Sequence, residues 1–205
     1  MADVADALGV AKGTVYLYVE SKEALFDLVV RHASGQVDLD ALLPGLPLGS
    51  PPPEATLEVV HRRLTEHDLL PTLGAALAGP VRADVRAELE TILRELFAVL
   101  HANRLPIKLV DRCAADHPEL AALWFREGRF RQLGRLARYL DAPQRRGALR
   151  PFPDLRVAAR IAFETITTWA VHRHWDPAPQ AIDDQVAEDT AVAFVLGALV
   201  KGVTE

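Results

Sequence analysis

Cysteine is nearly missing from this chain: Cys113 stands alone among 205 residues. One thiol cannot close a disulfide within the chain, nor can it build a multi-cysteine zinc or iron–sulfur site. Long apolar runs are missing too. The longest unbroken one, Ala191 to Val200, is about half of what a bilayer crossing needs. The opening residues carry Asp3 and Asp6 and lack the apolar stretch of a secretory signal. Aromatic residues make up only 6% of the chain and glycine 12 positions, whereas Ala and Leu number 32 and 30. Ala and Leu are the strongest helix formers, so an all-α fold is expected. Half of the residues are hydrophobic, enough for a sizeable core and against intrinsic disorder. The net charge of -5 disfavours nonspecific nucleic-acid binding by the whole surface but leaves room for a local site. These features describe a soluble, cytoplasmic protein with no membrane partner.

Hydrophobic spacing places the helices. Val4 and Leu8 share a helical face, and Gly9 stops that helix as a left-handed C-terminal residue would. A second short helix is expected within Ala11 to Val19. Ser21 is a good N-cap for a third helix, with Glu23 favouring the dipole in its first turn. Residues 35–53 form a connection rich in Gly and Pro that also holds five leucines. They mark the expected boundary between a module at 1–34 and another at 35–205. Helices resume near Pro53, with Pro71 near the end of the first stretch. Val85 to Leu100 is strongly amphipathic. Glu119 to Tyr139 reads as one long helix. Asp154 and Asp183 open the last two, which run to about Trp175 and Val200.

Residues 4–25 carry the strongest functional signal. Helix, glycine turn, short helix and capped helix make a helix-turn-helix layout, in which the second helix enters the major groove and its neighbours grip phosphates. Thr14 and Tyr18 are four apart, as are Lys12 and Tyr16, while Val15 and Val19 form an opposite pair that packs inward. Lys22, at the start of the third helix, is placed to meet a phosphate.

This stretch resembles the DNA-binding signature of the tetracycline-repressor (TetR) family. The resemblance rests on Ala5, Gly9-Val10, Lys12-Gly13-Thr14-Val15-Tyr16, Tyr18 and Ser21-Lys22-Glu23-Ala24-Leu25. It implies that Lys12, Gly13, Thr14, Tyr16, Tyr18 and Lys22 form the DNA-binding site. It also implies a second, helical module that binds an unknown small molecule and forms a homodimer, with the ligand releasing operator DNA. Ala11 and Val19 depart from the family pattern, which usually has a serine cap and an aromatic at these positions.

The resemblance further implies that the first helix of the DNA-binding domain is missing. Residues 1–35 hold Lys12, Lys22 and Arg31 against Asp3, Asp6, Glu20, Glu23 and Asp27, a net of 3 − 5 = −2. A module that grips phosphates should be positive. The chain as given is therefore expected to bind operator DNA poorly, with its first 20 or so residues loosely packed. The rival reading is a helical ligand-binding or interaction protein that no longer binds DNA.

Other constellations carry less. Glu58-Val-Val-His61 has the spacing of a di-iron helix but no second such unit. His172 and His174 are two apart, point to different sides of a helix and cannot readily share a metal. No metal or cofactor site is read, and no catalytic constellation, so an enzyme is not expected. Arg131, Arg135 and Arg138 form a stripe that reads as a solvated face. Trp124, Phe125, Phe163, Thr165, Thr168, Trp169 and His172 are candidates for the ligand pocket that the resemblance implies. For the dimer, Ala158, Ile161, Ala162, Thr165, Ile166 and Trp169 form one apolar stripe. Val186, Thr190, Ala193, Phe194, Gly197 and Ala198 form another on the last helix. Two such helices from each protomer would make a two-fold four-helix bundle.

Overall fold

The computed structural model describes residues 1–52, 54–65, 69–80 and 83–201, with the backbone alone at residue 63. Among them every regular element is helical, and β-type pairing is confined to two isolated bridges, Val19 with Leu48 and Leu149 with Val200. The fold is all-α, as the composition indicates. The chain forms two compact units, Met1–Arg63 and Leu64–Glu205.

In the first unit, α1 (Ala2–Leu8) ends where Gly9 takes φ 67, a conformation that costs glycine nothing. Then come α2 (Lys12–Val15), α3 (Lys22–Ala33) and the single turn α4 (Leu39–Leu42). The Ser21 hydroxyl caps α3 by accepting from the Ala24 N–H at 3.0 Å. One core cluster of this unit buries Ala5, Val15, Val19 and Ala24, with Met1, Leu25, Leu28 and Leu48 against them; Val30, Val59 and Val60 are buried as well. The Gly/Pro-rich connection is stitched to this core. The Leu48 N–H donates to the Tyr18 carbonyl (2.8 Å), and the Glu20 N–H donates to the Leu48 carbonyl (2.9 Å). The Thr56 hydroxyl, on α5 (Ala55–Thr65), donates to the Asp27 carboxylate at 2.8 Å. The compact division therefore falls after Arg63, while the boundary read from composition lies at 34/35.

The second unit opens with α6 (Pro71–Ala78). Pro71 starts this helix; it does not close the preceding stretch. Its missing N–H costs little at a first helical position, where that group has no intrahelical partner. After α7 (Val85–Ala102) and α8 (Arg104–Cys113), the chain winds through α9 (Pro118–Leu123), a π-helical segment (Trp124–Phe130) and α10 (Arg131–Arg145). The uniform α-helix expected over 119–139 is thus widened in its middle. Asp154 caps α11 (Leu155–Ala170) through the Arg156 N–H, and Asp183 caps α12 (Asp184–Leu199) through the Gln185 and Val186 N–H groups.

Helices α7, α10, α11 and α12 enclose the main core. Leu89, Ile92, Leu93, Leu140, Phe163 and Ile166 are buried in it. Each such aliphatic or aromatic side chain contributes about 1.5–3 kcal/mol by leaving water. At the far end of α12, the Arg150 N–H donates to the Leu199 carbonyl (2.9 Å) and the Lys201 N–H to the Ala148 carbonyl (3.2 Å). Among the described residues no helix is long and apolar enough to cross a membrane.

Candidate nucleic-acid interface and effector module

Helix α2 is a single turn, and its entry has no side-chain cap. Ala11 is extended (φ -66, ψ 144) and supplies only its carbonyl, which accepts from the Thr14 N–H at 2.9 Å. After Val15 the chain keeps turning through backbone bonds from Leu17, Tyr18 and Val19 to the carbonyls of Thr14 and Val15. This geometry sorts the side chains. Val15 and Val19 turn inward, at 6% and 1% exposure, whereas Tyr16, Leu17 and Tyr18 stand out at 40%, 66% and 53%. Lys12, Gly13 and Lys22 are exposed and Thr14 is half-buried.

The surface thus carries two cations, two phenols and a hydroxyl beside the first turn of α3. The N–H groups of that turn beyond the reach of Ser21 favour an anion. Arg31 is not available to this surface as a free cation, because its Nε donates to Asp27 at 2.6 Å.

Gly13 lacks an internal reason to be glycine. A Cβ placed there meets nothing within 4 Å among the described residues, and its φ is not left-handed. Glycine inside a helix costs about 0.8–1.0 kcal/mol relative to alanine.

The second unit answers the remaining expectations unevenly. On α12, Val186, Thr190, Ala193, Phe194, Gly197 and Ala198 are all exposed. On α11 the expected stripe splits. Ile161 is 62% exposed and Trp169 36%, but Ile166 is fully buried in the protomer's own core. Ile166 therefore has no surface to offer a second chain. Ala158 and Ala162 are also buried, and they floor an apolar groove of about 310 Å³ between α11 and α12, walled by Phe152, Val157, Ile161 and Phe194.

The aromatic candidates for a ligand pocket do not converge. Phe163 points into the core, Thr168 and Trp169 lie on the outer face of the same helix, and His172 belongs to the 3-10 turn His172–Trp175. Phe125 pairs with Phe130, ring centroids 6.1 Å apart. Trp124 lies against the core from the π segment. Of these candidates only Thr165 lines the α11–α12 groove.

Two further recesses were not anticipated. Arg131, Arg135 and Arg138 share a concavity of about 760 Å³ with Thr65 and Gln132. Another, of about 560 Å³, holds Asp84, Glu88, Thr72 and Thr91. Glu88 is itself buried and accepts a hydrogen bond from the Tyr139 hydroxyl at 3.1 Å. Burial, then the Glu88 charge, pushes the Tyr139 phenol well above its ordinary range.

Residues 1–29 match the sequence model of the bacterial regulatory proteins of the tetR family. Residues 85–198, more than half of the chain, match that of the C-terminal domain of AefR-like transcriptional repressors. No curated protein matches the chain. A solved structure from Mesorhizobium loti MAFF303099, assigned to the TetR family of transcriptional regulators, has the same fold, with a TM-score of 0.53. It is 19% identical, and the match covers 97% of this chain and 85% of that one. Helix-turn-helix sequence, all-α architecture and both sequence models agree: the chain belongs to the TetR family of transcription regulators.

Proposed function

We propose that this regulator is a cytoplasmic repressor that holds operator DNA through α2 and the start of α3. A small molecule bound in the second unit releases it. In this reading residues 1–34 are the DNA-binding module and residues 35–205 the ligand-binding and dimerisation module. The observation that carries it is the outer face of α2. Lys12 and Gly13 on this helix and Tyr16 and Tyr18 just after it are all exposed, and a Cβ at Gly13 would meet nothing within 4 Å among the described residues. A glycine with open space above it lets a phosphate backbone approach closely. Lys12, Tyr16, Tyr18 and Lys22 then bind phosphates and Thr14 faces the groove floor.

Two copies join through the exposed faces of α11 and α12, with Ile161, Val186 and Phe194 as the apolar anchors. Ligand binding favours a dimer geometry whose two reading helices no longer match successive major grooves, a shift of population between two states.

The test is a salt-dependent binding titration with DNA flanking the chain's own gene. Lys22→Ala should weaken binding to every sequence and lower the salt slope by about one. Thr14→Ala should act mainly on sequence preference. Specific binding that is untouched by both changes would sink the assignment. An absence of binding to any sequence, by this chain and by one extended upstream alike, would favour a ligand-binding protein without DNA contacts. In the same preparation Phe194→Arg should halve the mass seen by light scattering.

A further inference from the structure

Three side chains far apart in sequence meet in the second unit. His101 lies on the last turn of α7, His174 in the His172–Trp175 turn, and Asp184 opens α12. Their ligand-capable atoms all lie within 4.8 Å of one another. His101 Nε2 is 3.5 Å from Asp184 Oδ2, and His174 Nε2 is 3.9 Å from Asp184 Oδ1. The two imidazole centroids are 5.5 Å apart, with the rings tilted by 59°.

We propose that His101, His174 and Asp184 form a binding site for a divalent transition-metal cation of the zinc class. Two imidazoles and a carboxylate are a donor set suited to zinc, with a fourth position left for water or a ligand. Zinc holds nitrogen and oxygen donors at about 2.0–2.2 Å, so donors on its tetrahedron stand about 3.3 Å apart. The His101–Asp184 pair already has nearly that spacing, and the other pairs, all within 4.8 Å, need to close by about 1.5 Å at most.

The surroundings decide whether the donors are available. Arg173 pairs with Asp184 Oδ1, which leaves Oδ2, the oxygen nearer His101, to face a metal. Arg173 is further anchored by the carbonyls of Trp169 (2.7 Å) and Ile182 (2.9 Å). It orients the carboxylate in the way that outer-shell partners orient metal ligands. Arg104 Nη1 lies 3.4 Å from His101 Nε2, but it also donates to the His101 carbonyl at 2.9 Å. That carbonyl remains as its partner when the imidazole turns to a cation. The buried Nδ1 of His101 has no hydrogen-bond partner among the described residues. The protein therefore does not lock this ring in the tautomer that would withhold Nε2. The same lack of an acceptor for Nδ1–H makes the site one of moderate affinity. A cation here would tie the end of α7 to the start of α12. The inference is independent of the DNA-binding reading.

The test is calorimetric titration of the full chain with Zn2+, and with Co2+ followed by visible absorption. The expected result is one Zn2+ per chain and, with Co2+, ligand-field bands of four-coordinate intensity. His174→Gln and Asp184→Asn should each lower affinity at least tenfold, while His172→Gln should leave it within twofold. His174→Gln preserves size and hydrogen-bonding capacity, and thermal melts establish that each variant folds. Absence of binding overturns the proposal. So does binding that survives both changes, or binding that falls equally in His172→Gln, because either result places the cation elsewhere.

Discussion

The two compact units use their side chains differently. The second is organised around Leu, Ile, Val and Phe side chains driven out of water: Leu73, Leu89, Leu93, Leu140 and Ile166 are fully buried. The first buries smaller side chains, Ala5, Val15, Val19, Ala24, Val30, Val59 and Val60 among the described residues, and it displays Tyr16, Leu17 and Tyr18 on its outside. Burial explains residue identity in the second unit. In the first, several residues are the wrong ones for packing alone: a glycine in a helix, phenols in solvent, and an alanine at the N-cap of α2. Where local choices and the packed fold disagree, the disagreement marks positions shaped by something outside the fold.

The contrast is tested most strongly in the large core. Leu140→Ala should cost about 2–5 kcal/mol, because the side chain is fully buried and its loss leaves a cavity; urea denaturation reads the loss. A loss well below that range would mean that the second unit is packed no more tightly than the first.

Tyr139→Phe removes a hydroxyl from the buried Glu88 carboxylate and should cost about 1–3 kcal/mol. The same melts measure it, and a neutral result would assign the position to shape alone.

In the first unit the sign should reverse. Gly13→Ala meets no steric obstacle and should stabilise the fold by up to about 1 kcal/mol, while weakening DNA binding. If the change is destabilising, the glycine serves the fold and not a partner.

The smallest effect concerns Asp154, half-buried at the head of α11. The side chain of Arg156, and then its backbone N–H, hold this carboxyl down at about 2. A depressed carboxyl pKa contributes stability that is present above its ordinary value of 3.8 and lost as pH falls toward 2. Asp154→Asn should flatten the acid limb of the stability profile over that window, as followed by circular dichroism.

What was legible in the sequence was local. Gly9, Ser21, Asp154 and Asp183 sit where their own backbone geometry needs them, and each terminates or caps a helix as read. The inward turn of Val15 and Val19 follows from helical spacing. What escaped was nonlocal. No sequence period reports that Leu48 pairs with Val19, which draws the connection into the first unit. Nor does one report that His174 faces His101 and Asp184, 73 and 10 positions away. Ile166 shows a different limit: an apolar stripe says that a face is buried, but not whether the protomer or a partner buries it. The π segment at Trp124–Phe130 left no signature in a pattern read at 3.6 residues per turn.

The bridge between Leu149 and Val200 has a mechanical consequence. Helices α11 and α12 are antiparallel, each 16 residues long and so about 24 Å. At one end the covalent chain from Val171 to Asp183 joins them; at the other, the bridge and its flanking hydrogen bonds do. The pair is therefore a closed frame, fastened at both short sides. Sliding one helix along the other would break the fastening, whereas moving both together would not. Ile161 and Phe194 both line the groove between the long sides of this frame, so a displacement of the two helices together would carry both walls of the groove with it.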